Sequence, residues 1–176
     1  MKEKVDILIS EEEIRTRILE IAEKINEDYK GEELTLICVL KGGVMFMCDL
    51  AKRLDLNVRL DFMSVSSYGA ETKSSGVVKI VKDLDNSIVD KNVLVVEDII
   101  DSGNTLSYLM DILQKRGPKS IKLCTLLDKP SRREKMDVHV DYVCFEIEDK
   151  FVVGYGLDYD QKYRNLPYIG VMELSE

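Results

Sequence analysis

The chain has 176 residues, 45% hydrophobic and 33% charged, with a formal net charge of −8. That length suits a single domain with room for a small attached lobe. The acidic balance argues against a nonspecific nucleic-acid binder, which needs a basic surface for the phosphate backbone, and no apolar run approaches the ~18 residues of a membrane span.

The opening residues, MKEKVDILIS, lack the longer apolar stretch and small-residue cleavage site of a signal peptide, so the expected location is the cytoplasm. Ser10 with Glu13 three positions later is a capping-box pattern. Apolar residues at Ile14, Ile18, Ile21, Ala22 and Ile25 then form one stripe of a helix, which Gly31 ends. Leu34 to Leu40 is a continuous apolar run, as expected of a strand buried on both faces in a parallel sheet. Lys41-Gly42-Gly43 breaks it, and Val44 to Leu54 reads as a helix. Val58 to Tyr68 alternates like a strand. Gly69 to Gly76 is small, polar and aperiodic, the composition of a mobile loop. Val77 to Leu84 and Val93 to Asp98 read as further strands. From Thr105, a helical stripe through Leu106, Leu109, Met110 and Leu113 ends at Gly117-Pro118, and Ser120 to Leu127 is another buried strand.

The order strand, helix, strand, strand, strand, helix, strand predicts an α/β fold with a mainly parallel twisted sheet flanked by helices. From Asp141 the texture changes to short strands and turns. This predicts a core over about residues 10–140 and a smaller C-terminal lobe over about 141–176, completed by the N-terminal segment. Cys38, Cys48, Cys124 and Cys144 form no close pair and read as small apolar core residues. His139 is the only histidine, and with no cysteine cluster beside it no zinc signature is present. Lys129 to Lys135, KPSRREK, is the only dense basic run and is short.

The stretch Val93 to Met110, VLVVEDIIDSGNTLSYLM, carries the chemistry. A buried strand ends in adjacent carboxylates, Glu97 and Asp98, and Asp101-Ser102-Gly103-Asn104-Thr105 then leads into a helix. Ligands of open α/β sheets bind beyond the carboxyl ends of strands. A helix N-terminus supplies unpaired N–H groups and partial positive charge for a phosphate. The loop has neither the GxxxxGK[ST] nor the GxGxxG pattern. Acids immediately before a phosphate loop can accept from the vicinal hydroxyls of a ribose, or face a hard cation such as Mg²⁺.

VVEDIIDSGNTL closely resembles the phosphoribosyl-pyrophosphate signature of type I phosphoribosyltransferases, in the form found in the hypoxanthine-guanine branch. VLKGG (Val39 to Gly43) resembles that family's pyrophosphate loop, and SSYG (Ser66 to Gly69) the start of its flexible loop. LLDKPSRR (Leu126 to Arg133) and DKFVVGYGLDYDQKYRNLPYIGV (Asp149 to Val171) resemble its purine-binding segments.

The resemblance implies the type I phosphoribosyltransferase fold with a C-terminal hood. It implies a Mg²⁺-dependent purine-salvage transferase that moves ribose 5-phosphate from phosphoribosyl pyrophosphate to N9 of hypoxanthine or guanine, releasing IMP or GMP and pyrophosphate. By the same resemblance Asp101 is the catalytic acid or base near purine N7. Glu97 and Asp98 serve the ribose and the metal, and Ser102, Gly103, Asn104 and Thr105 hold the 5-phosphate. Leu40, Lys41, Gly42 and Arg164 face pyrophosphate, with a cis peptide at Leu40–Lys41. Ser67 and Tyr68 lead a closing loop. Lys129 donates to the purine 6-oxo group, Phe151 stacks on the base, Val152 offers backbone groups to its edge, and Asp158 assists a second metal. The family association implies a homodimer or homotetramer, with neither nucleic acid nor membrane as partner. A phosphoribosyltransferase for another base (xanthine or a pyrimidine) and a non-catalytic regulator that senses phosphoribosyl pyrophosphate are the competing readings.

Overall fold

The structure, a computed structural model, describes residues 2–67 and 78–175. Tyr68 and most of the polar loop expected to close over the site lie outside them. The chain runs β1 (Lys2–Ile9), α1 (Glu11–Asp28), β2 (Glu33–Leu40), α2 (Val44–Ala51), β3 (Asn57–Ser67), β4 (Val78–Lys82), β5 (Asn92–Ile100), α3 (Asn104–Gln114), β6 (Ser120–Asp128), β7 (Tyr142–Glu146), β8 (Val152–Val153) and β9 (Ile169–Ser175), with a 3₁₀ turn at Pro130–Arg132.

Six strands form the main sheet in the order β4-β3-β2-β5-β6-β7. All its pairings are parallel except β3 with β4. The expected α/β architecture is therefore present. A second, antiparallel sheet has the order β1-β9-β8. β7 joins the main sheet through parallel pairing with β6, so the smaller sheet takes its C-terminal strands only after Glu146, not from residue 141. Tyr142 and Cys144 are apolar and buried, and the edge of β6 covers the backbone of β7, which short length and a changed texture do not reveal.

Strand periodicity explains the two-sided core. On β5, Leu94 and Val96 pack with α1 and α2, whereas Val93 and Val95 pack with Leu106, Leu109 and Leu113 of α3. Burying each such side chain contributes roughly 1.5–3 kcal/mol. The Ser10–Glu13 capping box forms as expected and fixes the start of α1. Cys38, Cys124 and Cys144 are buried as expected, but Cys48 is exposed on the outer face of α2. No helix among the described residues is long and apolar enough to cross a membrane.

Candidate active site

The strand carrying the acids runs two residues further than its sequence pattern predicts, to Ile100, because Ile99 and Ile100 continue the pairing with Leu127 and Asp128 of β6. On its other side β5 pairs with β2 only as far as Val96. Glu97 and Asp98 therefore occupy the place where β2 has turned away into the Lys41–Gly43 loop. That turn contains a cis peptide between Leu40 and Lys41.

The turn is in contact with the acids. A Cβ on Gly42 would lie 1.8 Å from Asp98 Oδ2, so glycine is required for the loop to approach the diacid. Burial raises the Glu97 carboxyl well above its ordinary range, and the charge of Asp98 raises it further. Burial also raises Asp98, outweighing the N–H bond it accepts from Ile99 at 2.8 Å. Among the described residues neither acid has an ion-pair partner. A buried and a half-buried carboxyl side by side gain from a cation or from hydroxyl donors.

Beyond Ile100 the chain turns through Asp101 and Ser102 to Gly103, whose φ of +83° places it at the N-cap of α3 without a side chain to cap the helix. Gly103 therefore leaves the first N–H groups of α3 without a bond from the N-cap side chain. The Ser102 hydroxyl accepts from the Asn104 N–H at 3.3 Å, and the Ser102 carbonyl accepts from the Glu134 and Lys135 N–H groups at 2.9 and 3.1 Å. The basic run KPSRREK folds over this loop rather than forming a free surface patch. Arg133 pairs with Asp128 at a buried position and donates to the Asp101 carbonyl at 3.2 Å.

Asp101 and Lys129 stand at opposite ends of one chain of charges. Arg132 Nε donates to Asp101 at 3.0 Å. Arg132 also lies 3.5 Å from Asp149, which in turn lies 3.6 Å from Lys129 Nζ. Lys129 is buried, so its ammonium needs a partner in the cleft. Phe151 leaves 53% of its surface exposed and meets Tyr159 edge to face, with ring centroids 5.8 Å apart. Val152 is buried in β8 opposite Val171 of β9.

Arg164 donates to the Gly156 carbonyl at 2.7 Å and lies 3.0 Å from Asp158. Its buried Nε has no hydrogen-bond partner. Asp158 also accepts from the Gln161 N–H at 2.8 Å. The Gln161 amide bridges Lys41, at 3.2 Å, and Arg164, at 3.4 Å. A Cβ on Gly156 would lie 2.0 Å from the Gly42 carbonyl oxygen, so the C-terminal segment seats directly on the Lys41–Gly43 loop.

The diacid, the α3 N-terminal loop, the Lys41 turn, the Lys129–Asp149 pair and Arg164 thus lie around the carboxyl end of β2, β5 and β6. Ser67 ends β3. Arg132, Arg133, Asp128, Asp149 and Gln161 were not singled out by sequence. The adjacent arginines after Lys129-Pro130, and Asp128 just before it, were the available signal. Among the described residues no cluster of three or more His, Cys, Asp and Glu side chains could hold a metal. Glu97 and Asp98 nevertheless suit Mg²⁺, which takes one or two carboxylates and completes its shell with water and substrate oxygens. A concavity of about 800 Å³ lies along the outer face of α3 and is lined by residues such as Tyr108, Gln114 and His139, meeting the Asp101–Thr105 loop only at Asn104.

Known proteins resemble this chain in sequence and fold. Residues 5–160 match the model of the phosphoribosyl transferase domain. A hypoxanthine-guanine phosphoribosyltransferase of Bacillus subtilis is 54% identical over 95% of this chain and 92% of its own length. A hypoxanthine phosphoribosyltransferase of Salmonella typhimurium is 53% identical over 100% of this chain and 99% of its own. The crystal structure of a hypoxanthine-guanine phosphoribosyltransferase from Bacillus anthracis superposes with a TM-score of 0.92 at 47% identity, covering 98% of this chain and all of that one. The chain therefore belongs to the phosphoribosyltransferase family, in its hypoxanthine-guanine branch.

Proposed function

We infer that the protein transfers the 5-phosphoribosyl group of phosphoribosyl pyrophosphate to N9 of hypoxanthine or guanine, forming IMP or GMP and releasing pyrophosphate. The observation that carries this reading is the Glu97–Asp98 diacid, buried at Glu97, half-buried at Asp98 and without an ion pair among the described residues, set between the start of α3 and a glycine turn.

Backbone N–H groups and hydroxyls from Ser102 to Thr105 bind the 5-phosphate. Glu97 and Asp98 accept from the ribose hydroxyls and, with Mg²⁺ bound, help neutralise the pyrophosphate. The N–H groups of the Leu40–Gly42 turn and the guanidinium of Arg164 hold the leaving pyrophosphate. The planar donor fork of Arg164 suits that role. Asp158, already bonded by Arg164 and by the Gln161 N–H, orients Arg164, and the family resemblance adds a share in a second metal site beside pyrophosphate. Asp101 accepts a proton from, or a hydrogen bond of, the purine at N7 as N9 attacks the anomeric carbon. The base displaces Arg132 from Asp101 as it enters. Phe151 stacks on the base, Val152 meets its edge, and Lys129 donates to O6. An amino group at C6 sets a donor against that donor and is rejected. The segment from Ser67 and Tyr68 onward covers the reacting centre and keeps water from an oxocarbenium-like sugar. The small sheet serves as the hood, and the family relation supports a cytoplasmic homodimer or homotetramer.

Assay with Mg²⁺ and phosphoribosyl pyrophosphate against hypoxanthine, guanine, xanthine, adenine and uracil tests the reading. Pyrophosphate release is expected with hypoxanthine and guanine. Turnover confined to xanthine or uracil, or none with any base, overturns it. Lys129→Met should raise KM for hypoxanthine by about tenfold or more, the scale of losing a hydrogen bond to a charged group.

A further inference from the structure

Gly154, Tyr155 and Gly156 are consecutive and all left-handed, with φ of 97°, 50° and 103°. An aromatic residue in that region is an outlier that surrounding contacts must hold in place. The contacts are visible. The Tyr155 N–H donates to the Leu166 carbonyl at 2.9 Å, the side chain is buried, and the phenol donates to the Asp49 carboxylate on α2. Burial pushes the Tyr155 phenol upward. Burial also pushes Asp49 up, but its bonds from Lys52 and Tyr155 outweigh that and leave it below the ordinary range. The bond therefore joins a neutral donor to an ionised acceptor, the stronger kind.

This bond closes a ring of contacts. α2 begins directly after Gly43, Asp49 lies on it, Tyr155 reaches Asp49, and the next residue, Gly156, abuts the Gly42 carbonyl. Gly156 is also fixed to Arg164 twice, by its N–H to the Arg164 carbonyl at 2.9 Å and by its carbonyl to the guanidinium at 2.7 Å. The two elements read above as the pyrophosphate site, the Leu40–Gly42 turn and Arg164, come from opposite ends of the chain. The Asp49–Tyr155 bond ties the helix behind one to the segment holding the other.

We propose that Tyr155 and Asp49 are positioning residues for pyrophosphate, setting the Gly42 backbone and the Arg164 guanidinium at the spacing the diphosphate requires. The inference rests on the assignment of the Leu40–Gly42 turn to pyrophosphate. Neither side chain touches the substrate. The Asp49 side chain is 43% exposed, so water replaces the phenol when it is removed, and Tyr155→Phe keeps the ring, the backbone and the fold.

The test measures binding of inorganic pyrophosphate with Mg²⁺, KM for both substrates, and Tm, in Tyr155→Phe, Asp49→Ala, Asp49→Asn and Gly42→Ala. Tyr155→Phe and Asp49→Ala should each weaken pyrophosphate and phosphoribosyl pyrophosphate about 3- to 10-fold, the scale of one hydrogen bond, with KM for hypoxanthine within about twofold. Asp49→Asn keeps an acceptor and should recover most of the affinity. Unchanged pyrophosphate binding in Tyr155→Phe, or equal losses for both substrates that track Tm, overturns the inference. Gly42→Ala separates the two readings: if it leaves pyrophosphate binding intact, the turn assignment itself fails. If it abolishes binding while Tyr155→Phe does not weaken it, only the positioning role fails.

Discussion

β5 is polar at both ends, and the two ends are built on opposite rules. At its start the acids are matched. Glu32 accepts from Lys119 at 2.9 Å and from the Asn92 side chain. Asp141 accepts the Leu123 N–H at 2.9 Å. Asp28 accepts from the Tyr142 phenol, and Lys122 lies 3.8 Å from it. At its finish Glu97, buried, and Asp98, half-buried, lie side by side with no ion pair among the described residues, and the Arg164 charge reaches Asp98 only weakly. Matched acids hold strands and helices together. Unmatched acids out of water cost stability, and this contrast is what supports placing the proposed ligand at the finish of the sheet.

The sharpest way to break this contrast is to remove the acid proposed above to act on the base. Asp101→Asn should lower kcat by roughly 10²–10⁴, the usual yield of general acid–base help, while the Kd for phosphoribosyl pyrophosphate moves little. Single-turnover rates with pre-bound substrate measure both. An unchanged kcat removes Asp101 from the chemistry and reduces the finish of β5 to a binding surface.

Next in size is Glu97→Gln. If the diacid is costly without ligand, the variant should raise the Tm of the ligand-free protein, by about 2–4 °C for each kcal/mol relieved. Affinity for phosphoribosyl pyrophosphate with Mg²⁺ should fall about tenfold or more, as expected when a charged hydrogen-bonding partner is lost. Thermal melts with and without substrate should therefore move in opposite directions. A lowered ligand-free Tm would show that Glu97 is structurally matched after all.

The difference between the two ends also explains what the sequence could and could not reveal. The buried strands, the capping box at Ser10 and the run from Glu97 to Thr105 are local patterns, set by periodicity and by turn chemistry over a few residues, and they were legible. The contacts that complete the site are not local. Arg133 reaches Asp128 and the Asp101 carbonyl only because the 3₁₀ turn at Pro130–Arg132 reverses the chain. Gln161 meets Lys41 across 120 residues. The membership of β7 in the main sheet depends on an edge of β6 that is unpaired until β7 arrives. Cys48 follows an apolar run and looks like core, yet it falls on the outward face of α2. Tyr155 reads as an ordinary strand residue, and only its positive φ and its bond to Asp49 mark it.

The smallest expected effect sharpens the comparison most cleanly, because only its sign matters. Hydrogen bonds from Lys119 and then Asn92 hold Glu32 below its ordinary value of 4.5. Its contribution to stability is present above that value and is lost as pH falls through the lower folded value. Glu97 is raised above the same ordinary value of 4.5 by burial. In the ligand-free protein its penalty is absent in acid and grows as pH rises from about there toward the raised folded value. Glu32→Gln should therefore lower Tm slightly at neutral pH, flatten the loss on the acid side, and leave kcat and both KM values unchanged. Glu97→Gln should instead flatten the decline on the rising side. Melts of the two variants and the wild-type protein across pH 3 to 8 decide the point. Identical profiles for the two variants would mean that the ends of β5 carry the same kind of acid, and the contrast on which the site assignment rests would be lost.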